Sequence, residues 1–391
     1  MLAKFTFKNH RSFLDEQTLS FEASSDDSYK WTVAPVESAI LPRSSGLLRT
    51  LAVFGPLASG KSNVLRALDY MKRVVLMSAS LPITHQNDTF AFQYGAGNLD
   101  SHYEVEIIQN GTYYRYGFVI RDFRIVKEWL MRRAERLTTL FSRDEYSLKI
   151  IGLPRNSASL LSPSPYTLFL PVASSLNLEI NREVGDVMDW FRSLCVSFSA
   201  RQEDLQIYAE KEEYLKDAYR ILSLADCGID GIQLIQEGSY TDIETSHRVY
   251  DAEGHFVRAK KARLFQDRQL YSDATAELVC TLAKVLRALD CGTVLCLDDF
   301  TRTLGLPVAL EIIRLFSNPA QPAAKAQLVL TSGISPLVDK AFRRDQIYFT
   351  RRDGQSRSQL VRLSSLPGVR KGESYEKKLL ENLRHGQLKL E

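Results

Sequence analysis

Long apolar runs are missing from this chain: no uninterrupted stretch of its 391 residues approaches the length a membrane-spanning helix needs. No helical anchor is therefore expected. The N-terminus opens straight into strand-like alternation, without a charged segment and apolar core, so no secretory signal is expected. Cysteine is scarce as well. Five residues (Cys195, Cys227, Cys280, Cys291, Cys296) make an odd set without a C-x-x-C pair. The last three lie in apolar runs and read as core thiols, which fits a reducing cytoplasm. His10, His85, His102, His247, His255 and His385 show no metal-ligand spacing, which argues against an independent nuclease. An excess of one charge is also lacking, since the formal net charge is only +3. The imbalance is local. Residues 340–391 hold 13 Lys+Arg against 6 Asp+Glu, an excess of +7 that leaves the rest at −4. That tail suits DNA or an acidic partner, although a solvated charged surface is the first reading of it.

Against this plain background one stretch stands out: Gly55-Pro56-Leu57-Ala58-Ser59-Gly60-Lys61-Ser62. It fits G-x-x-x-x-G-K-[ST], the phosphate-binding P-loop. Leu51 to Phe54 before it read as a buried strand. Val64, Leu65, Leu68, Met71 and Val75 after it fall on one helical face. In strand–loop–helix context, backbone N–H groups at the helix start point at phosphates. Lys61 would reach the β- and γ-phosphates of ATP, Ser62 would ligate Mg²⁺, and Asn63 would adjoin them.

The length predicts two or three structural units. Ala3, Phe5 and Phe7 alternate as a half-buried strand, residues 9–13 form a turn, and Leu19 and Phe21 mark a second strand. Residues 24–45 read as a loop. From residue 90 to 151 short strands repeat, two of them joined by Asn110-Gly111, a hairpin signal. Gln93, after Phe90 and Phe92, reads first as a surface or core contact and second as a Mg²⁺-bridging residue. Residues 154–171, rich in Ser and Pro, read as a boundary. Helices are expected near 183–194 and 210–224, then strands near 232–236 and 243–250. The last third returns to alternating helix and strand, with a helix through Leu278, Leu282 and Leu289 and apolar strands at 293–297 and 327–331. Elements of this kind at both chain ends predict one mostly parallel sheet assembled from both halves. The expected division is 1–151, a mostly helical insertion at 152–230, and 231–391.

Leu295-Cys296-Leu297-Asp298-Asp299 is an apolar strand ending in two carboxylates. This is the form of a Walker B element, in which Asp298 orders Mg²⁺ and Asp299 polarises the attacking water. Phe7-x-Asn9-His10-Arg11-Ser12-Phe13, the P-loop, Tyr271-Ser272-Asp273-Ala274-Thr275 and the 295–299 stretch follow in this order. Tyr116-Gly117-Phe118, Glu128-Trp129-Leu130, Asp189-Trp190-Phe191-Arg192, Arg344-Asp345-Gln346-Ile347-Tyr348-Phe349 and the tail Gly368-Val369-Arg370-Lys371 accompany them. Together they resemble the prokaryotic AAA-type ATPases of the RecF/SMC-like branch of the ABC ATPases, a group associated with abortive infection and phage resistance.

The resemblance implies an α/β fold: an ABC-type P-loop ATPase head, with a mixed sheet and an antiparallel β subdomain, carrying a helical insertion. It implies ATP and Mg²⁺ as cofactors, sandwiched in a homodimer or higher homo-oligomer. Ser272, Asp273 and Ala274 of one copy would face the P-loop of another, and Arg11 and Ser12 would approach the nucleotide. An effector such as a nuclease is the implied partner, DNA a further one, with no membrane. Four departures bear on turnover. Ala274 stands where the family has glycine, and Asp299 where it has glutamate. Residues 300–306 lack the family's usual acid and Ser-Leu-His-Pro stretch. Ser332-Gly333 replaces a histidine switch. Two readings stay open: a slow ATPase controlling an effector, or a nucleotide-held scaffold without useful hydrolysis.

Overall fold

The computed structural model describes residues 1–24, 30–41, 44, 46–81, 88–225, 228–238, 240–302, 304–318, 325–333, 336–366 and 374–384. His85, Cys227, Thr303, His385 and the Gly368–Lys371 motif lie outside them. Phe5 and Phe7 are fully buried in β1 (Leu2–Lys8), which pairs with β2 (Gln17–Ser20). A short ladder of β3 (Val33–Pro35) and β4 (Gly46–Leu48) precedes β5 (Thr50–Phe54) and α1 (Lys61–Met77). β6 (Ser101–Gln109), β7 (Thr112–Arg121), β8 (Arg124–Arg133), β9 (Leu137–Asp144) and β10 (Leu148–Ile150) form a meander. Asn110 and Gly111 both adopt positive φ, the twist a two-residue hairpin needs.

Next come α2 (Arg155–Leu160), α3 (Phe169–Ala173), α4 (Asn181–Ser193), β11 (Cys195–Ser197) and α5 (Glu212–Leu222). They lead to β12 (Gly231–Glu237), β13 (Tyr240–Tyr250) and β14 (Phe256–Arg263). The chain closes through α6 (Asp273–Cys291), β15 (Val294–Leu297), α7 (Leu306–Ser317), β16 (Gln327–Ser332), α8 (Leu337–Ala341), β17 (Ile347–Arg352), β18 (Ser358–Arg362) and α9 (Tyr375–Arg384).

Two sheets dominate. The antiparallel one runs β10-β9-β8-β7-β6-β1-β2, and the central one runs β11-β15-β16-β5-β17-β18. All neighbours in the central sheet are parallel except β17–β18, so strands from both chain halves do share one mostly parallel sheet. Its side chains alternate between two cores. Leu51, Val53, Cys296 and Val329 face α1, α4 and the antiparallel sheet. Ala52, Phe54, Leu295, Leu297, Leu328 and Leu330 face α5, α6 and α7. Burial on both faces explains why these strands read as continuous apolar runs.

Gln327 stitches the two sheets together. Fully buried, its amide oxygen accepts from Leu2 N at 2.6 Å, and its Nε2 donates to the carbonyls of Leu2 and Leu48. Tyr348 adds a second stitch, its hydroxyl accepting from Ser20 N at 2.8 Å.

The structure corrects several expectations. Residues 24–45 are not loop throughout, since they hold β3. Around Gln93, residues 88–95 are coil, bend and turn instead of strand, and a 3₁₀ turn, Ala96–Asn98, follows. Residues 154–171 hold α2, and Leu168, Phe169 and Leu170 are fully buried, so packing overrides the Ser/Pro composition. The segment 152–230 contributes β11 to the central sheet. Cys280 and Cys296 are buried, but Cys291, at the last turn of α6, is exposed.

Candidate functional site

β5 delivers the chain into residues 55–62 at the edge where β16 and β17 flank it, and α1 starts at Lys61. The loop closes because two glycines occupy positions no side chain could. A Cβ on Gly55 (φ 156°) would lie 2.5 Å from Thr350 Oγ1, and one on Gly60 (φ 106°) 2.5 Å from Ser358 Oγ. Ala58 also adopts a positive φ of 59°. Hydroxyls from distant strands brace the loop. Ser59 Oγ sits 2.6 Å from Thr350 Oγ1, and Ser358 Oγ sits 2.8 Å from both Ser12 Oγ and the Ser59 carbonyl. Asn63 Nδ2 donates to Ser12 Oγ at 2.8 Å. Pro56 is half-buried, and Leu57 at the tip is exposed.

The start of α1 has no side-chain cap, which leaves the N–H groups of Lys61 and Ser62 available to an anion, while that of Asn63 donates to the Gly60 carbonyl at 2.9 Å. Lys61 Nζ donates to the Gly55 and Pro56 carbonyls at 3.0 and 2.8 Å. Burial pushes its ammonium below the ordinary lysine value, and the Asp299 and Asp298 carboxylates oppose that shift. Lys61 therefore lies within electrostatic reach of both acids. A half-buried cation on weak carbonyl partners, beside an uncapped helix start, fits a polyphosphate.

The acids follow β15. Asp298 Oδ1 accepts from Thr331 Oγ1 at 2.5 Å, and the same oxygen of Thr331 accepts from Asp299 N at 2.9 Å. Asp299 adopts φ 50°, a left-handed conformation that aspartate tolerates better than most residues. Arg302 links it onward. Its Nε is 3.4 Å from Asp299 Oδ2, and its Nη2 contacts Glu277 of α6 at 3.1 Å. Among the described residues no group of three or more His, Cys, Asp or Glu side chains gathers for a metal. A cation here would rest on Asp298, on Ser62 and on the phosphate oxygens, the hard donor set Mg²⁺ prefers.

Arg11 takes φ 50° and pairs with Asp88 at 2.9 Å, while Asn9 holds the same segment through the Ala96 and Leu99 carbonyls. Residues 88–99 are thus tied to the turn that carries Ser12. Gln93 is exposed on that segment. Ser272, Asp273 and Ala274 stand at the start of α6. Ser272 caps α6, accepting from Thr275 N at 3.2 Å. With Asp273, Glu277, Arg302 and Tyr271 it lines a cleft of 220 Å³. Among the described residues no hydrogen bond or ion pair joins 272–274 to residues 55–62. Gly333 has open space where a Cβ would stand, so room is not what keeps a histidine out.

Thr331, Ser358, Thr350 and Glu277 were not foreseen as parts of this site. Only their position on strands or helices that end beside the P-loop or Asp299 brings them in, and sequence spacing carries no trace of it.

Comparison with known families gives one finding. A family model described as "AAA domain, putative AbiEii toxin, Type IV TA system" matches residues 51–332, well over half of the chain. Comparison with curated proteins gives no match.

Proposed function

The chain belongs to that AAA-domain family, and from this premise we propose that it binds Mg-ATP at residues 55–63 and is a slow ATPase of the RecF/SMC-like kind. One observation carries the reading: the uncapped start of α1, Lys61 on its own loop carbonyls, and Asp298 and Asp299 across from them converge at one sheet edge. Mg²⁺, when bound, neutralises charge on the phosphates. Lys61 would exchange its two carbonyl partners for phosphate oxygens, and residues 60–62 would donate backbone N–H groups, with Asn63 beside them. Ser62 and Asp298 would hold the cation, and Asp299 would orient water.

Titration calorimetry tests the binding site. The wild type is expected to bind Mg-ATP, and Lys61→Ala to weaken it on the order of a hundredfold, as loss of a charge-assisted contact to phosphate requires. Unchanged affinity in Lys61→Ala would sink the assignment.

The site also supports a second reading, a scaffold that holds nucleotide without turnover. Asp299 is one methylene shorter than glutamate, sits in a left-handed backbone and is drawn toward Arg302. Steady-state phosphate release separates the two. An ATPase shows turnover that Asp299→Asn reduces strongly; a scaffold shows only an ATP-dependent gain in mass. Under either reading the exposed Ser272 and Asp273, unconnected to their own P-loop, are proposed to meet the nucleotide of a second copy. The family's toxin–antitoxin and abortive-infection association supports control of an effector such as a nuclease in antiphage defence.

A further inference from the structure

The three-stranded sheet β12-β13-β14 ends in an arm. Beyond the Ser246–Lys261 pair, β13 and β14 continue for four more registered pairs, about 14 Å at the usual antiparallel rise. Every residue of β14 from Phe256 to Lys261 is exposed, so this strand packs on neither face there, while its partner β13 keeps His247 and Val249 half-buried, His247 against Tyr271 and the Gly228 carbonyl. Such exposure wastes strand-forming residues unless something else covers them. Two features say what would. β14 carries Arg258, Lys260, Lys261 and Arg263 and no acid. Near the base, Arg263 pairs with Glu237, Lys261 with Glu244 and Arg248 with Asp230. Arg258 and Lys260, two apart and so on one face, have no ion pair among the described residues. The second feature is the tip, where Tyr250 and Phe256 face each other in register, 53% and 59% exposed.

Two acids lie in the turn at the tip: Glu253 is exposed and, among the described residues, forms no ion pair with Arg258 or Lys260. Asp251 is consumed by the turn, accepting from Glu253 N and His255 N and lying 3.4 Å from His255 Nδ1. The described cations of the C-terminal segment, by contrast, are largely engaged. Arg343 pairs with Asp345, Arg357 with Asp353, and Arg362 donates to the carbonyls of Asp345 and Glu22. Basic residues on a free strand edge also discourage pairing with the same edge of a second copy.

We propose that the β13–β14 ribbon is a nucleic-acid-binding arm. Arg258 and Lys260 contact backbone phosphates, and Tyr250 and Phe256 lie against bases or sugars. A two-stranded ribbon fits a duplex major groove, and an aromatic pair suits stacking with single-stranded bases. The shared chemistry is a phosphodiester backbone, and the experiment distinguishes the two forms.

Fluorescence anisotropy with a short labelled DNA duplex and a single strand of equal length, over a salt series, provides the test. The wild-type protein binds at least one of them with affinity that falls as salt rises. Arg258→Ala/Lys260→Ala lowers that affinity at least tenfold and reduces the slope of log K against log salt by about 2. Tyr250→Ala/Phe256→Ala weakens binding with the slope unchanged. Whichever nucleic acid binds more tightly names the natural form. A wild type that ignores both, or a double alanine variant with wild-type affinity and slope, overturns the arm. Calorimetric Mg-ATP affinity, unchanged in both variants, keeps this outcome separate from that of the nucleotide site.

Discussion

Thr331 is the residue on which both acids depend. It is 1% exposed, and its hydroxyl donates to the carboxylate of Asp298 while accepting the N–H of Asp299. Thr331→Val keeps the shape and removes the hydroxyl. The expected result is selective: Mg-ATP affinity falls about tenfold, as loss of one hydrogen bond to a charged group would give, while affinity for ATP in EDTA stays as in the wild type. Thr331→Ser retains the metal dependence. Calorimetry with and without magnesium reads the difference, and an equal fall under both conditions would mean that Thr331 only supports the fold. Arg302 belongs to the same chain of contacts, although its exposed ion pairs add little stability. At this scale the sequence is legible where chemistry is contiguous. Lys61 and Ser62 stand out because an anion cradle needs neighbouring residues on one turn. Thr350 and Ser358 brace that cradle from strands about 290 to 300 positions away, Thr331 holds the two acids from a third strand, and nothing in their local context marks them.

At the scale of elements, legibility follows how much of a segment's fate is local. α1, α4, α6 and the β6–β7 hairpin follow from their periodicity and turn residues. β14 does not, because a basic strand exposed on both faces has no apolar alternation to betray it. β17 and β18 were missed as strands, although β17 pairs with β5 and fills the second core through Ile347 and Phe349. Gln327 shows the same limit in reverse: a polar residue opening an apolar strand looks like a solvated end, yet it is the seam between sheets. Gln327→Leu preserves volume and strands the Leu2 N–H, with an expected loss of about 3 kcal/mol from unpaired buried groups. Urea unfolding should show the midpoint fall with the slope unchanged.

For the whole molecule, acid is the condition that bears on the junction between its layers. His10 is fully buried where β1, α1 and β6 meet, its Nδ1 2.9 Å from Tyr103 OH, with Tyr70 and Phe7 alongside. Burial, aided by the Arg11 charge, pushes its imidazole down to about 3 from 6.5. The unfolded chain therefore takes the proton first. Stability from this residue is complete above about pH 6.5 and is lost as pH falls toward 3, amounting to about 3 kcal/mol at pH 4. Unfolding free energies at pH 7 and pH 4 should differ by about that much less in His10→Asn. A pH dependence equal in the two proteins would exclude His10 as the cause.

The order of the central sheet also has a consequence for biosynthesis. β5 lies between β16 and β17, so the strand that launches the nucleotide loop has no hydrogen-bonded strand beside it until nearly 280 further residues have been translated. At ordinary ribosomal speeds that wait lasts roughly 15 to 60 s, with the backbone edges of β5 and the side chains of Ala52 and Phe54 uncovered. A nascent chain stopped before β16 would present a sticky edge to chaperones and would have no ATP grip, so premature termination yields inert protein instead of a half-active one.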